Sequence, residues 1–323
     1  MIRHPEKRHR RVTEQLRLLW LPWVFLCSIL LPSTIFAEGF TVLTTIFPFK
    51  EFAQAVGGER VKVTLLLPPG AEPHTWEPKP SDMVKISRAG VFLYVGAEME
   101  PWVPGILRSI NNATLTIIEA SQGFPLIATG SVEHNHDEAE SKKMAHKSFD
   151  PHVWLNFEYD QKIVDKIVTV LTKKDPGGAE YYLRNGESYK EKLKTLDLAY
   201  TSALKNCAGK EFILGSHAAF AYLAQRYGLK QISLYGVSPN AEPTPKKMAE
   251  VVRMAKQYRV RAIYYEELVS DKLAKAIANE VGAKTLILNP GHNLKKNQIE
   301  EGITFLSLME KNLENLTYGL GCQ

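Results

Sequence analysis

The sequence predicts an α/β protein of two lobes, each built on a mostly parallel sheet flanked by helices, with one long rigid helix joining them. Three observations carry this. Short β-rich runs alternate with amphipathic helical runs from Phe40 onward, a pattern that builds parallel sheets covered on both faces. The alternation stops mid-chain at one helical stretch of unusual length and then restarts. A chain of 323 residues with 45% hydrophobic content can furnish two cores, which excludes a disordered chain.

In the first half, residues 40–45 read as a strand, 48–56 as a helix stopped by Gly57 and Gly58, and 61–67 as a strand closed by Pro68, Pro69 and Gly70. Residues 80–88 read as a helix with Ser81 and Asp82 in its first turn, and 91–95 and 115–119 as two further strands. Residues 133–147 have almost no apolar content and no period, so they read as a surface loop. Its His134, His136 and His146, set among four carboxylates, make it either a plain solvated insertion or an auxiliary metal-binding loop. Residues 159–173 follow a helical period through Ile163, Ile167 and Val170.

From residue 179 to about 206, Tyr182, Tyr189, Leu193, Leu196, Tyr200 and Leu204 share one helical face. About 28 residues at roughly 1.5 Å each span on the order of 40 Å, enough to join two lobes. Gly186 is the weak point of this helix, because glycine disfavours helix interiors. Strands at 211–214, 231–234, 261–265 and 285–288 then alternate with helices at 218–227, 245–258 and 271–281, and a terminal helix covers 298–316. The expected organisation is a leader at 1–37, a first lobe at 38–175, a linking helix at 176–208 and a second lobe at 209–323.

The leader is a signal peptide by its pattern: Arg3, Lys7, Arg8, Arg10, Arg11 and Arg17 precede an apolar run over 18–36, broken by Pro22 and Pro32, and Ala37 offers a cleavage site. The run is short and proline-broken for a membrane span, and Leu26 before Cys27 is too large for a lipidation signal. Cleavage and an extracytoplasmic, periplasmic location are therefore expected. The leader carries six basic and two acidic residues, +4 of the formal +5, so the mature chain stands at +1. That gives no basic field for nucleic acid, and a monomer without a nucleic-acid partner is expected. Cys207 and Cys322 survive cleavage; in an oxidising compartment they can pair or stay free, and a disulfide is the expectation.

Three histidines sit in separate tight motifs: His74 after a strand-ending turn and between Pro73 and Pro78, His152 two residues after Asp150, and His217 directly after a strand. Ligands in open α/β sheets bind beyond the carboxyl ends of strands, and three imidazoles suit a transition metal with one position left to fill. Asp150 or a backbone carbonyl can hold the second nitrogen of His152 and set its tautomer. The segments Gly70-Ala71-Glu72-Pro73-His74-Thr75-Trp76-Glu77-Pro78-Lys79-Pro80-Ser81-Asp82, Asp150-Pro151-His152-Val153-Trp154-Leu155 and His217-Ala218-Ala219-Phe220 resemble the zinc/manganese metal-binding solute-binding proteins of ABC transporters, the ZnuA/TroA-like family. The resemblance runs from about Phe40 to the C-terminus. It implies one metal ion between two lobes, ligands at His74, His152 and His217, an acidic His-bearing loop nearby, and an ABC permease as partner.

The chain departs from the family at the fourth ligand, where an aspartate usually precedes a proline and here stands Asn289 before Pro290. Asn289 can ligate through its amide oxygen, water can take the place, or a loop carboxylate or His292 can reach in. Three imidazoles without an evident carboxylate favour Zn²⁺ over Mn²⁺, which prefers oxygen. Glu242, Glu266 and Glu267 read as loop-holding residues near the cleft. The expected function is zinc capture for an ABC permease, without catalysis. A zinc hydrolase with an open three-histidine site and a metal-binding surface adhesin are the rival readings. No Gly-rich phosphate loop, His-Glu-x-x-His or Gly-x-Ser-x-Gly motif supports an enzyme.

Overall fold

A computed structural model describes residues 40–129, 148–238 and 243–323. The leader at 1–37, Glu242, and the loop with His134, His136 and His146 lie outside the described residues. The first half runs β1 (Thr41–Thr44), α1 (Phe47–Gly57), β2 (Lys62–Leu65), α2 (Pro80–Arg88), β3 (Val91–Tyr94), α3 (Val103–Ser109), β4 (Thr116–Glu119), the short pair β5 (Ala128–Thr129) and β6 (Ser148–Phe149), and α4 (Phe157–Lys174). After α5 (Ala179–Ala203), the second half runs β7 (Glu211–Leu214), α6 (Ala221–Arg226), β8 (Lys230–Ser233), α7 (Pro245–Gln257), β9 (Ala262–Tyr265), α8 (Lys272–Val281), β10 (Lys284–Ile287), α9 (Lys296–Glu300) and α10 (Phe305–Leu320).

The first sheet has strand order β2-β1-β3-β4 and the second β10-β9-β7-β8, and every pair in both is parallel. Numbered within its own half, each sheet has the order 2-1-3-4, so the two halves share a topology without a sequence period. In each, the strand order reverses at the first strand, and the loops leaving the strand ends on that side form a natural ligand crevice.

Between the sheets lies α5, 25 residues and about 37 Å long at 1.5 Å per residue. The residues read as its apolar face, from Tyr182 to Tyr200, are buried. Gly186 is buried too, and a Cβ there would overlap the Val168 Cγ2 methyl of α4. The glycine is thus the point of closest approach between α4 and α5 rather than a defect. Gly186→Val should destabilise the protein by about 1–3 kcal/mol, the usual cost of overpacking, read as a lower urea midpoint at unchanged slope.

One hydrophobic core runs through both halves, with Phe52, Trp154, Phe157, Tyr200, Tyr264 and Phe305 in a single cluster. Phe305 packs edge-on against Phe52 at 5.5 Å. Glu51 on α1 accepts from the Tyr189 hydroxyl of α5 (2.6 Å) and from the backbone N–H of Phe305 at the start of α10 (2.6 Å). Cys207 and Cys322 form a disulfide that fastens the chain end to the segment after α5.

Two expectations are corrected. The helix expected over 218–227 starts at Ala221, because Ala218 and Ala219 are used in a turn, Ala218 N–H bonding Gly236 O at 2.8 Å. The terminal helix is two helices: Gly302 takes a positive φ of 71° and Thr304 caps a fresh start.

Candidate metal centre

His74, His152 and His217 converge. The Nε2 atoms of His74 and His217 each lie 3.2 Å from Nε2 of His152, and the three candidate ligand atoms all fall within 4.8 Å of one another. The positions come from the fold: His74 follows β2, His152 follows β6, and His217 stands just past the end of β7. His152 and His217 are fully buried, whereas His74 is partly exposed.

Carboxylates hold the inner two rings. His152 Nδ1 lies 2.8 Å from Asp150 Oδ1, which also accepts the His152 backbone N–H at 2.8 Å. His217 Nδ1 lies 2.7 Å from Glu266 Oε1, an ion-pair contact with both groups buried. Each inner ring turns its Nδ1 toward a carboxylate and its Nε2 toward the other histidines. Asp150, rather than a backbone carbonyl, stands beside the second nitrogen of His152. Glu266 exceeds the loop-holding role expected of it. It leaves the end of β9, beside β7 in the sheet, and only this pairing reveals it as the partner of His217. Removing its charge should weaken metal binding about 10- to 100-fold, the usual effect of losing such a partner. A Glu266→Gln variant compared with wild type in a zinc competition titration checks this.

Burial sets the charge states. It pushes the pKa of His74 and His152 well below the ordinary imidazole value, and the neighbouring imidazoles add to the effect. For His217 burial works in the same direction, but the Glu266 charge outweighs it and the pKa is raised. Burial lifts Asp150 to about 7, against the hydrogen bond from His152.

Asn289 is engaged in its own loop. Its amide oxygen accepts from Gly291 N–H at 2.8 Å, its amide nitrogen donates to Glu267 Oε2 at 2.7 Å, and Asn312 brackets its backbone. It is not brought into the three-histidine cluster by any of these contacts. Glu72 and His292 come closer: burial raises the Glu72 pKa and the charge of His217 opposes it, while His292 is fully enclosed beside His217, ring centroids 6.3 Å apart.

Two α/β halves of one strand order, with histidines from both meeting at the strand ends, make a two-lobed solute-binding protein. Residues 42–319 match the family described as zinc-uptake complex component A, periplasmic, and the chain belongs to that family. It is 38% identical over 275 residues to the high-affinity zinc uptake system protein ZnuA of Bacillus subtilis (strain 168), covering 85% of this chain and 86% of that protein. The zinc-binding protein AdcA of Streptococcus pyogenes serotype M3 is 38% identical over 87% of this chain, which spans only 56% of AdcA. The crystal structure of the Zn(II)-bound ZnuA-like domain of Streptococcus pneumoniae AdcA superposes with a TM-score of 0.73 at 35% identity, covering 87% of this chain and 99% of the domain. A family of uptake components sets the hydrolase reading aside.

Proposed function

We propose that this chain captures one Zn²⁺ outside the cytoplasm on the Nε2 atoms of His74, His152 and His217 and delivers it to an ABC permease. The observation that carries this is the spacing of the nitrogens. In a tetrahedral zinc site with Zn–N near 2.05 Å, neighbouring ligand nitrogens are about 3.3 Å apart. Two of the three separations here are 3.2 Å. The carboxylates behind His152 and His217 offset the charge of a cation held among the three nitrogens. Imidazole donors favour zinc over manganese. The names of the matched relatives point the same way.

Asn289 stays a candidate for the fourth position only through a water, since its amide is already spent. We take the leader at 1–37 to be cleaved, the lobes to be 38–175 and 209–323 about a linking helix at 176–208, and the chain to act as a monomer. The His134, His136 and His146 loop is proposed as an auxiliary collector of metal. Because one core crosses both halves, release is expected through local opening at the partly exposed His74 rather than through a wide hinge swing. Cells lacking the chain should grow poorly when zinc is scarce. Wild type should restore growth and His217→Ala should not; equal restoration by both would refute the reading.

Protons compete with the metal for the same nitrogens. His74 and His152 stay neutral below the ordinary imidazole range, whereas His217 takes its proton above it. Zinc affinity should therefore begin to fall while pH is still above about 6.5, by roughly tenfold per pH unit for one competing proton. Competition titrations between pH 8 and pH 6 check the slope. Glu266→Gln should move its onset to lower pH.

A further inference from the structure

Asn293 is buried on the loop after β10 and spends its whole amide on backbone groups. Its Nδ2 donates to Pro68 O (2.7 Å) and Ala71 O (2.8 Å) in the first half, and its Oδ1 accepts the backbone N–H of Leu294 (2.9 Å). Beside it, Gly70 N–H donates to Leu294 O at 2.9 Å. Residues 68–71 are a turn of their own, closed by Ala71 N–H on Pro68 O (3.1 Å), with Gly70 at a φ of 77°. An enclosed amide paired at both N–H groups and at its oxygen fixes a loop in one place, because a bond left unmade in the interior is costly.

Each side of this bridge leads to a histidine of the metal centre. In the first half, Glu72 Oε1 accepts from His74 N–H (3.3 Å) and Glu72 O from Trp76 N–H (3.1 Å), so the turn at 68–71 runs straight into the bonded segment that carries His74. In the second half, Glu267 Oε2 accepts from Asn289 Nδ2 (2.7 Å) and from Gln298 Nε2 (3.0 Å). Both ends of the Asn293 loop are thereby tied to the neighbour of Glu266, which holds His217 Nδ1. Asn293 is the joint between the arm of His74 and the arm of His217. Since His152 and His217 are buried and His74 is partly exposed, the arm of His74 is the part whose displacement opens the site.

We propose that Asn293 is a positioning residue that sets how fast the ion leaves, an assignment that rests on the zinc-capture function proposed above. It is not a ligand. Its two donated bonds must break before the His74 arm can lift away from the second half. Each such bond is exchanged for bonds to water on opening, and the net loss of one shifts an equilibrium by about two- to tenfold. Removing both should therefore speed zinc release about 10- to 100-fold while leaving the ligand set intact.

Stopped-flow release of zinc from the loaded, exported protein into excess chelator tests this. Asn293→Ala should release zinc about 10- to 100-fold faster than wild type, with an unchanged imidazole count by zinc-edge X-ray absorption. Asn293→Leu, closer in shape, is the second variant should the first fail to fold. Gly186→Val, loosened at the α4–α5 contact far along the chain from this bridge, should release zinc at the wild-type rate, which separates positioning from general destabilisation. In wild type itself, the Gly70 amide beside the bridge should exchange with solvent at least about tenfold more slowly once zinc is bound. Unaltered release in the folded Asn293 variants, equal speeding in Gly186→Val, or a Gly70 amide indifferent to zinc would overturn the role of Asn293 while leaving zinc capture standing. Wild type that binds no zinc would overturn both.

Discussion

Replacing His152 with Ala is expected to lower zinc affinity about 100- to 1,000-fold. Its Nε2 is the common neighbour of the other two, 3.2 Å from each, so its loss opens the centre of the cluster rather than an edge. Apparent zinc-binding energies in structural sites run to about 10–16 kcal/mol, and one ligand's even share of four is about 2.5–4 kcal/mol. At 1.4 kcal/mol per tenfold, that gives the range stated. The variant also strands Asp150, which is 1% exposed and loses its ring partner. Competition against a chromophoric chelator measures the effect, with circular dichroism of the metal-free variant confirming the fold. Affinity within threefold of wild type would show that the ion does not sit among these nitrogens.

Trp154→Ala should cost about 3–5 kcal/mol of stability, the usual penalty for emptying a large buried aromatic site. Trp154 is fully buried in the core that both halves share. Its indole N–H donates to Pro290 O at 2.8 Å, and its ring lies 5.2 Å from that of His152. It therefore joins a ligand segment of the first half to the Asn289–His292 loop of the second. Urea unfolding should show the loss in full for Ala. Trp154→Phe keeps most of the volume and should lose chiefly the hydrogen bond, about 1 kcal/mol. Equal costs for the two would mean that the polar link, rather than packing, carries the effect.

Much of this was legible in one sequence because the signals are local. Strands and helices differ in period, and proline and glycine mark where they stop, so α2 falls over the same residues, 80–88, that the sequence predicts. The three histidines stand in short motifs at strand ends, which is why they could be named without a structure. What was missed depends on partners distant along the chain or on backbone states without a periodic mark. The short helix α3 contains Pro104 and Gly105 and has too little apolar period to declare itself. The break between α9 and α10 turns on the positive φ of Gly302, which the apolar pattern bridges. Glu266 meets His217 only because β9 lies beside β7, and Glu72 approaches His292 only because Asn293 ties their loops together. Gly186 read as a helix weakness because sequence counts its propensity and not the Val168 methyl it must admit.

The central claim is that one zinc ion binds at an imidazole centre. Titrating the metal-stripped protein with Zn²⁺ in the presence of excess Mn²⁺ tests it most directly. The structure predicts tight binding of one equivalent, barely displaced by manganese and lost in His152→Ala. Preference for manganese, or zinc binding that survives loss of His152, would contradict it.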